Sequence, residues 1–144
     1  MRLQSAIFSI EDTIVGRGDA DRVLSLLKME GVWLYAVTAL PREDAERALR
    51  ESGAEEYFRG VLTADETGCA ADSAQMLEKA LRRLRSEKRD TIVFTGRLAA
   101  LRNAKAAGFR AAAVRGAAEP EEWASMRAEA DEVVENYGDF LTRA

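Results

Sequence analysis

Short apolar runs along the chain alternate with stretches in which apolar residues recur every three or four positions. Leu3–Phe8 reads as a strand. Ala20–Glu30 follows as a helix, with Val23, Leu24, Leu27 and Met29 mostly on one side and Gly31 as its end. Val32–Val37 is apolar at successive positions, the pattern of a strand buried on both faces of a parallel sheet. Pro41 suits a first helical turn, Glu43 and Asp44 suit its positive end, and Gly53 stops that helix after about Ser52. Val61–Ala64 is a short strand. Ser73–Arg85 is a helix whose stripe is Met76, Leu77, Ala80, Leu81 and Leu84. Thr91–Thr95, Arg110–Val114 and Glu132–Val134 are further strands, and Leu98–Ala107 is a helix closed by Gly108. Pro120 opens a helix through Trp123 and Met126, and a last helical turn follows Tyr137. Trp33 and Tyr35 are expected to fill core space beside the sheet, and Trp123 to anchor its helix.

Strand–helix alternation predicts an α/β fold, a doubly wound, Rossmann-like three-layer sandwich around a mainly parallel sheet. The expected organisation is a single domain over residues 1–144, with no internal repeat or long linker. A chain of 144 residues buries roughly 68–70% of its unfolded surface and needs no disulfide or metal staple. In such sheets ligands bind beyond the carboxyl ends of the strands, where strand order switches. The informative residues are therefore Ser9–Thr13, Thr38, Ala64–Ala71 and Thr95–Arg97.

Composition narrows the chemistry. There are 25 acids and 21 bases, a net charge of −4, which argues against nucleic acid as the main partner. Arg82, Arg83, Arg85, Lys88 and Arg89 cluster near a helix end and read as a solvated face that complements the helix dipole. The single cysteine, Cys69, cannot form an intramolecular disulfide, which fits a reducing, cytoplasmic setting. No signal-peptide pattern and no long apolar window are seen, so no membrane association is expected. With no histidine, Ser-His-Asp and Cys-His mechanisms and histidine metal ligands are unavailable.

Four strand-end stretches resemble, in order, the motifs of the haloacid dehalogenase-like phosphohydrolases. They are "FSIEDTIV", "LYAVTAL", "TADETGCAADSAQMLEKALRRL" and "IVFTGRLAALRNAKAAGF"; "ADEVVENYGDFL" resembles the family's terminal strand and helix. The resemblance implies a first motif Asp-x-Asp-Gly-Thr, in which the first Asp attacks phosphorus and ligates magnesium. This chain has Ser9 there, Glu11 for the general acid/base and Asp12 for the glycine, while Thr13 is kept. Thr38 keeps the phosphate-binding hydroxyl of the second motif. The lysine of the third motif aligns with Cys69, and the metal-binding acid of the fourth with Gly96, next to Thr95.

Magnesium prefers an octahedral shell of hard oxygens with one or two carboxylates. Ser9 and Gly96 remove both expected carboxylates, and Cys69 removes a cation, so the family mechanism should be absent or near background. Ser9 could attack only with an activating base, and none is evident. Glu11 and Asp12 read as solvated turn acids, with a divalent cation site as the alternative; Asp65 and Glu66 likewise read as loop carboxylates that could approach the same crevice. Thr13 and Thr38 are candidate anion contacts. Cys69 reads as an unremarkable thiol, with a reactive thiol in an exposed loop as the alternative, and Lys79 as a surface lysine.

The "GRGD" connection after Val15 and the few residues after Ala64 are too short for a folded cap. The functional expectation is a capless, catalytically inactive domain of this family, with no cofactor. It would act by binding an unknown protein or small molecule, or as a structural or regulatory subunit, and a homo-oligomer is plausible by analogy. The alternative is a divergent, magnesium-dependent phosphohydrolase with rearranged ligands. A receiver-like signalling domain is a third reading, but "AVTAL", "VLTA" and "AVRG" supply no convincing Asp and Lys pair.

Overall fold

A computed structural model describes residues 3–138. Its elements are β1 (Ser5–Ser9), α1 (Ile10–Thr13), α2 (Ala20–Met29), β2 (Trp33–Thr38), α3 (Arg42–Glu51), β3 (Val61–Thr63), α4 (Ala64–Thr67), α5 (Ala74–Leu84), β4 (Thr91–Thr95), α6 (Leu98–Ala106), β5 (Arg110–Val114), α7 (Pro120–Glu129) and β6 (Glu132–Val134). The strands form one sheet in the order β3-β2-β1-β4-β5-β6, and every pair is parallel. This is the doubly wound α/β architecture expected from the alternation. The helical turn expected after Tyr137 begins within the described residues, at Tyr137 and Gly138, and the rest of it lies outside them.

Strand periodicity sorts the core into two layers. In β1, Ala6 and Phe8 face one side while Ile7 faces the other. The first layer takes Val23, Leu24 and Leu27 from α2 and Ala45 and Leu49 from α3. The second takes Met76, Leu77, Ala80 and Leu84 from α5, Leu101 and Ala104 from α6, and Trp123 and Met126 from α7. Phe8 stacks on its neighbour across the sheet, Phe94, with ring centroids 4.4 Å apart.

Helix ends follow local chemistry. Ser73 accepts a hydrogen bond from the Met76 amide at the start of α5, 3.2 Å away. α3 follows Pro41, carries Glu43 and Asp44 in its first turn, and is left through Gly53 at φ +68°. Arg82 and Arg83 fall in the last turn of α5, where cations are favourable.

Four features depart from expectation, the first being Met29, which at the last position of α2 is 83% exposed and does not join Val23, Leu24 and Leu27 in the core. Trp33 is not core: it is 52% exposed at the first position of β2, whereas Tyr35 is buried. Its place at the strand's entry leaves it beyond the helices that cover the sheet. One helical turn directly follows β1 (α1) and another directly follows β3 (α4), where the sequence reads only as a polar turn and a strand-end loop. These turns are too short to show a period in sequence. Only Gly16–Asp19 and the residues around them link α1 to α2, so that segment carries no inserted folded unit.

Tyr137 ties the end of the described chain to the first turn. Its buried hydroxyl donates to the Thr13 carbonyl at 2.8 Å. Burial raises its phenol well above the ordinary value, with Arg17 opposing the shift only partly. An unfolded tyrosine ionises near pH ~10 while the folded one stays protonated. The stabilisation from this group is thus complete below pH ~10 and declines as pH rises beyond it. Tyr137→Phe should lower stability by about 1–3 kcal/mol at neutral pH, through the orphaned Thr13 carbonyl. It should also flatten the alkaline decline. Urea denaturation from pH 7 to 11 measures both effects.

Candidate functional site

β1 lies between β2 and β4, so the turn that leaves it meets both neighbours. Ile10, Thr13 and Ile14 point into the core at helical spacing. Glu11 and Asp12 are thereby turned the other way, half-buried above the strand ends. Their side chains diverge: Glu11 reaches β2, and Asp12 packs on the residue after β4.

The Glu11 carboxylate accepts the Thr38 hydroxyl at 2.8 Å on one oxygen and the Ala39 amide at 2.8 Å on the other. Thr38, fully buried, accepts in turn from the Leu40 amide at 3.0 Å. A hydroxyl and a backbone N–H held side by side form a cradle for one oxyanion. Here the oxyanion is the protein's own carboxylate. Glu11 is therefore not the freely solvated turn acid that the sequence suggests, but a link from α1 to the end of β2.

Asp12 closes the other side. A Cβ built on Gly96 would lie 2.7 Å from the Asp12 Cβ and 3.2 Å from its carbonyl oxygen. Real carbons do not approach so closely, so any side chain at 96 requires Asp12 to move. Burial raises the Asp12 pKa; the Glu11 charge adds to this, and Arg97 opposes it. The Arg97 guanidinium is itself engaged by Glu122 at 3.0 Å. The same Glu122 oxygen accepts the Leu98 amide at 2.9 Å, so α7 supplies the cap for α6. That amide and Arg97 hold Glu122 below the usual carboxylate range.

The remaining candidates fall elsewhere or are committed. Thr13 is fully buried and its hydroxyl donates to the Ser9 carbonyl at 2.9 Å, so it does not reach an anion in the crevice. Ser9 stands at the entry to α1, with no side-chain hydrogen bond to a base among the described residues. Cys69 is buried among Ile7, Val37, Met76 and Leu77, not in an exposed loop, and its sulfur lies 3.8 Å from the Thr67 carbonyl. Glu66 pairs with Arg42 at 2.7 Å, while Asp65 is exposed. Thr95 is buried, with its hydroxyl 3.4 Å from the Arg97 amide. Lys79 lines a separate cavity with Arg82 and Arg83.

This donor set does not fit magnesium. The positions that the resemblance pairs with the two metal carboxylates, Ser9 and Gly96, carry a hydroxyl and a glycine with no room for a side chain. Among the described residues no three His, Cys, Asp or Glu side chains gather as a metal site. Sequence reasoning missed the Ala39 amide, because a backbone donor has no residue signature. It also missed Glu122, whose role depends on the packing of α7 against α6.

Comparison with known proteins follows the same geometry. The model of the haloacid dehalogenase-like hydrolase family matches residues 3–108. No curated protein matches the chain. Among solved structures, CbbY from Rhodobacter sphaeroides, determined with phosphate, superposes with a TM-score of 0.72 at 24% identity, covering 85% of this chain and 55% of its own. A haloacid dehalogenase-like family protein from Streptococcus pneumoniae gives 0.69 at 15% identity, over 87% of this chain and 58% of that one. A core domain from the same organism gives 0.66 at 17% identity, over 89% of this chain and 97% of that domain. The chain thus spans little more than half the length of the first two of these proteins, and 53% and 55% of two others. At these identities the likeness is one of fold.

The contact between residues 12 and 96 yields a double-mutant cycle. Gly96→Ala should cost about 1–3 kcal/mol by overpacking. In an Asp12→Gly background the added cost should shrink by at least about 1 kcal/mol, the coupling typical of touching residues. Chemical denaturation of the four proteins measures it, and strict additivity would refute the packing account.

Proposed function

The chain belongs to the haloacid dehalogenase-like hydrolase family, and from that premise we propose that it is a catalytically silent, capless member acting by binding or as a structural or regulatory subunit. The carrying observation is the Glu11 carboxylate seated on Thr38 and Ala39. A phosphoryl oxygen competing for that hydroxyl and amide would have to displace an anion already bonded to both. It would also meet the Asp12 charge beside it. Ser9 has no base to activate it, and the 96 position has no space for a metal-binding acid. Electrostatic stabilisation of the transferring group, usually the largest catalytic contribution, is missing its cation and its carboxylates. Family membership keeps one competitor in play, a hydrolase with rearranged ligands, and both readings can be tested on one preparation.

With p-nitrophenyl phosphate and magnesium, manganese or cobalt, wild type should turn over no faster than its Glu11→Gln variant. Magnesium-dependent turnover that this substitution abolishes would overturn the proposal. In NMR titrations with inorganic phosphate, the Ala39 amide should be silent in wild type. It should shift saturably in Glu11→Ala, with at least about a tenfold gain in affinity once the internal anion is gone.

A further inference from the structure

The opposite end of the sheet carries an unassigned cavity. It lies at the entry to β2, roughly 17 Å along the strand from Thr38 at ~3.3 Å per residue. Its volume is about 390 Å³, within the range of small-molecule sites, and Trp33, Tyr57, Phe58, Lys28, Arg59 and Glu56 supply its chemistry.

Three observations converge there. Trp33 is 52% exposed, the largest side chain among the exposed apolar residues described. A tryptophan held out of the core at a cavity wall offers a stacking surface wherever no side chain covers its ring. The Arg59 guanidinium lies over its ring, 4.3 Å from the centroid, and the Lys28 ammonium lies 5.7 Å from the centroid of Tyr57. These contacts hold both cations against aromatic faces, which limits the ordering cost of binding. Neither Lys28 nor Arg59 forms an ion pair with a described residue. Glu56 is the only acid in the lining, which leaves one positive charge in excess.

We infer that this cavity binds a small planar aromatic anion. Its ring packs on Trp33, Tyr57 and Phe58, and its carboxylate or phosphate is met by Arg59 and Lys28. An arginine stacked on an indole keeps its N–H edge free for an oxyanion. A neutral aromatic would leave both cations unanswered, and a compact inorganic anion would leave the rings wet. The site is distinct from the strand-end crevice and stands whether or not that crevice is silent.

Two probes separate the sources of such a ligand: 1-naphthoate for aromatic carboxylates and AMP for nucleotides. Each is titrated against the whole protein while Trp fluorescence and the Trp33 indole N–H resonance are followed. At least one should bind saturably and shift Trp33, while the resonance of Trp123, 5% exposed, stays still. Arg59→Gln and Lys28→Gln should each weaken binding about tenfold, the size expected for losing one charge-assisted contact. On unmodified protein, neutral 1-naphthalenemethanol should bind at least about tenfold more weakly than 1-naphthoate. The inference is overturned if neither probe saturates by millimolar concentration, or if the neutral analogue binds as well as the anion. It is equally overturned if light scattering shows a dimer in which Trp33 is shielded from acrylamide, since a second copy would then fill the cavity.

Discussion

Everything near the crevice is governed by the close fit of one helical turn between two strand ends. β1 is flanked on both sides, so the residues that leave it cannot spread sideways. Three of them, Ile10, Thr13 and Ile14, are drawn into the core, and Tyr137 fastens the turn from below through the Thr13 carbonyl. Glu11 and Asp12 must then occupy the space above β2 and β4. The two acids are where they are because the apolar residues around them are buried.

That placement decides between competing uses of the same groups. The Thr38 hydroxyl and Ala39 amide can serve one oxyanion at a time. Hydrogen bonds to a carboxylate contribute about 1.5–3 kcal/mol each where they are made. An internal carboxylate held on the same fold also avoids the translational entropy that a free anion loses on binding. The internal ligand therefore has the advantage over an external one of like charge. This is a stronger obstacle to phosphate binding than simple repulsion between Glu11 and an approaching anion.

The framework was legible in sequence to a large extent. Thr91–Thr95, Arg110–Val114 and Glu132–Val134 have the bounds their sequence pattern predicts, and the other strands and the starts of the longer helices lie within a residue or two, while the single turns α1 and α4 leave no periodic signal. Parallel strands buried on both faces write continuous apolar runs, and glycines write the helix ends. Two large residues are misplaced, Met29 and Trp33, since neither a helical stripe nor an apolar run reveals where the covering layer stops. The site was legible only as a set of positions. Its substitutions could be named, but not that Glu11 satisfies Thr38 or that Asp12 and Gly96 compete for one volume. Those facts depend on the direction of side chains in a single turn of helix and on backbone groups that every residue shares. Cys69 shows the same limit: alignment put it at a lysine position, yet the fold buries its thiol under α5.

The packing also makes the departures from the family pattern mutually dependent. A side chain at 96 is blocked while Asp12 holds its present place, and the resemblance in sequence pairs Asp12 with a glycine of the family motif. Restoring the acid alone would overpack the strand end; restoring the glycine alone would leave a void and loosen the turn. An aspartate at Ser9 would bring a third carboxylate to the turn that holds Glu11 and the already desolvated Asp12, and the Arg97 side chain that opposes the Asp12 shift is held by Glu122. Each single reversal is thus unfavourable in the presence of the others, as expected for residues in direct contact. The strand ends form a self-consistent packing arrangement, in which the Asp12 side chain fills the space beside Gly96 and Glu11 supplies the anion on Thr38 and Ala39.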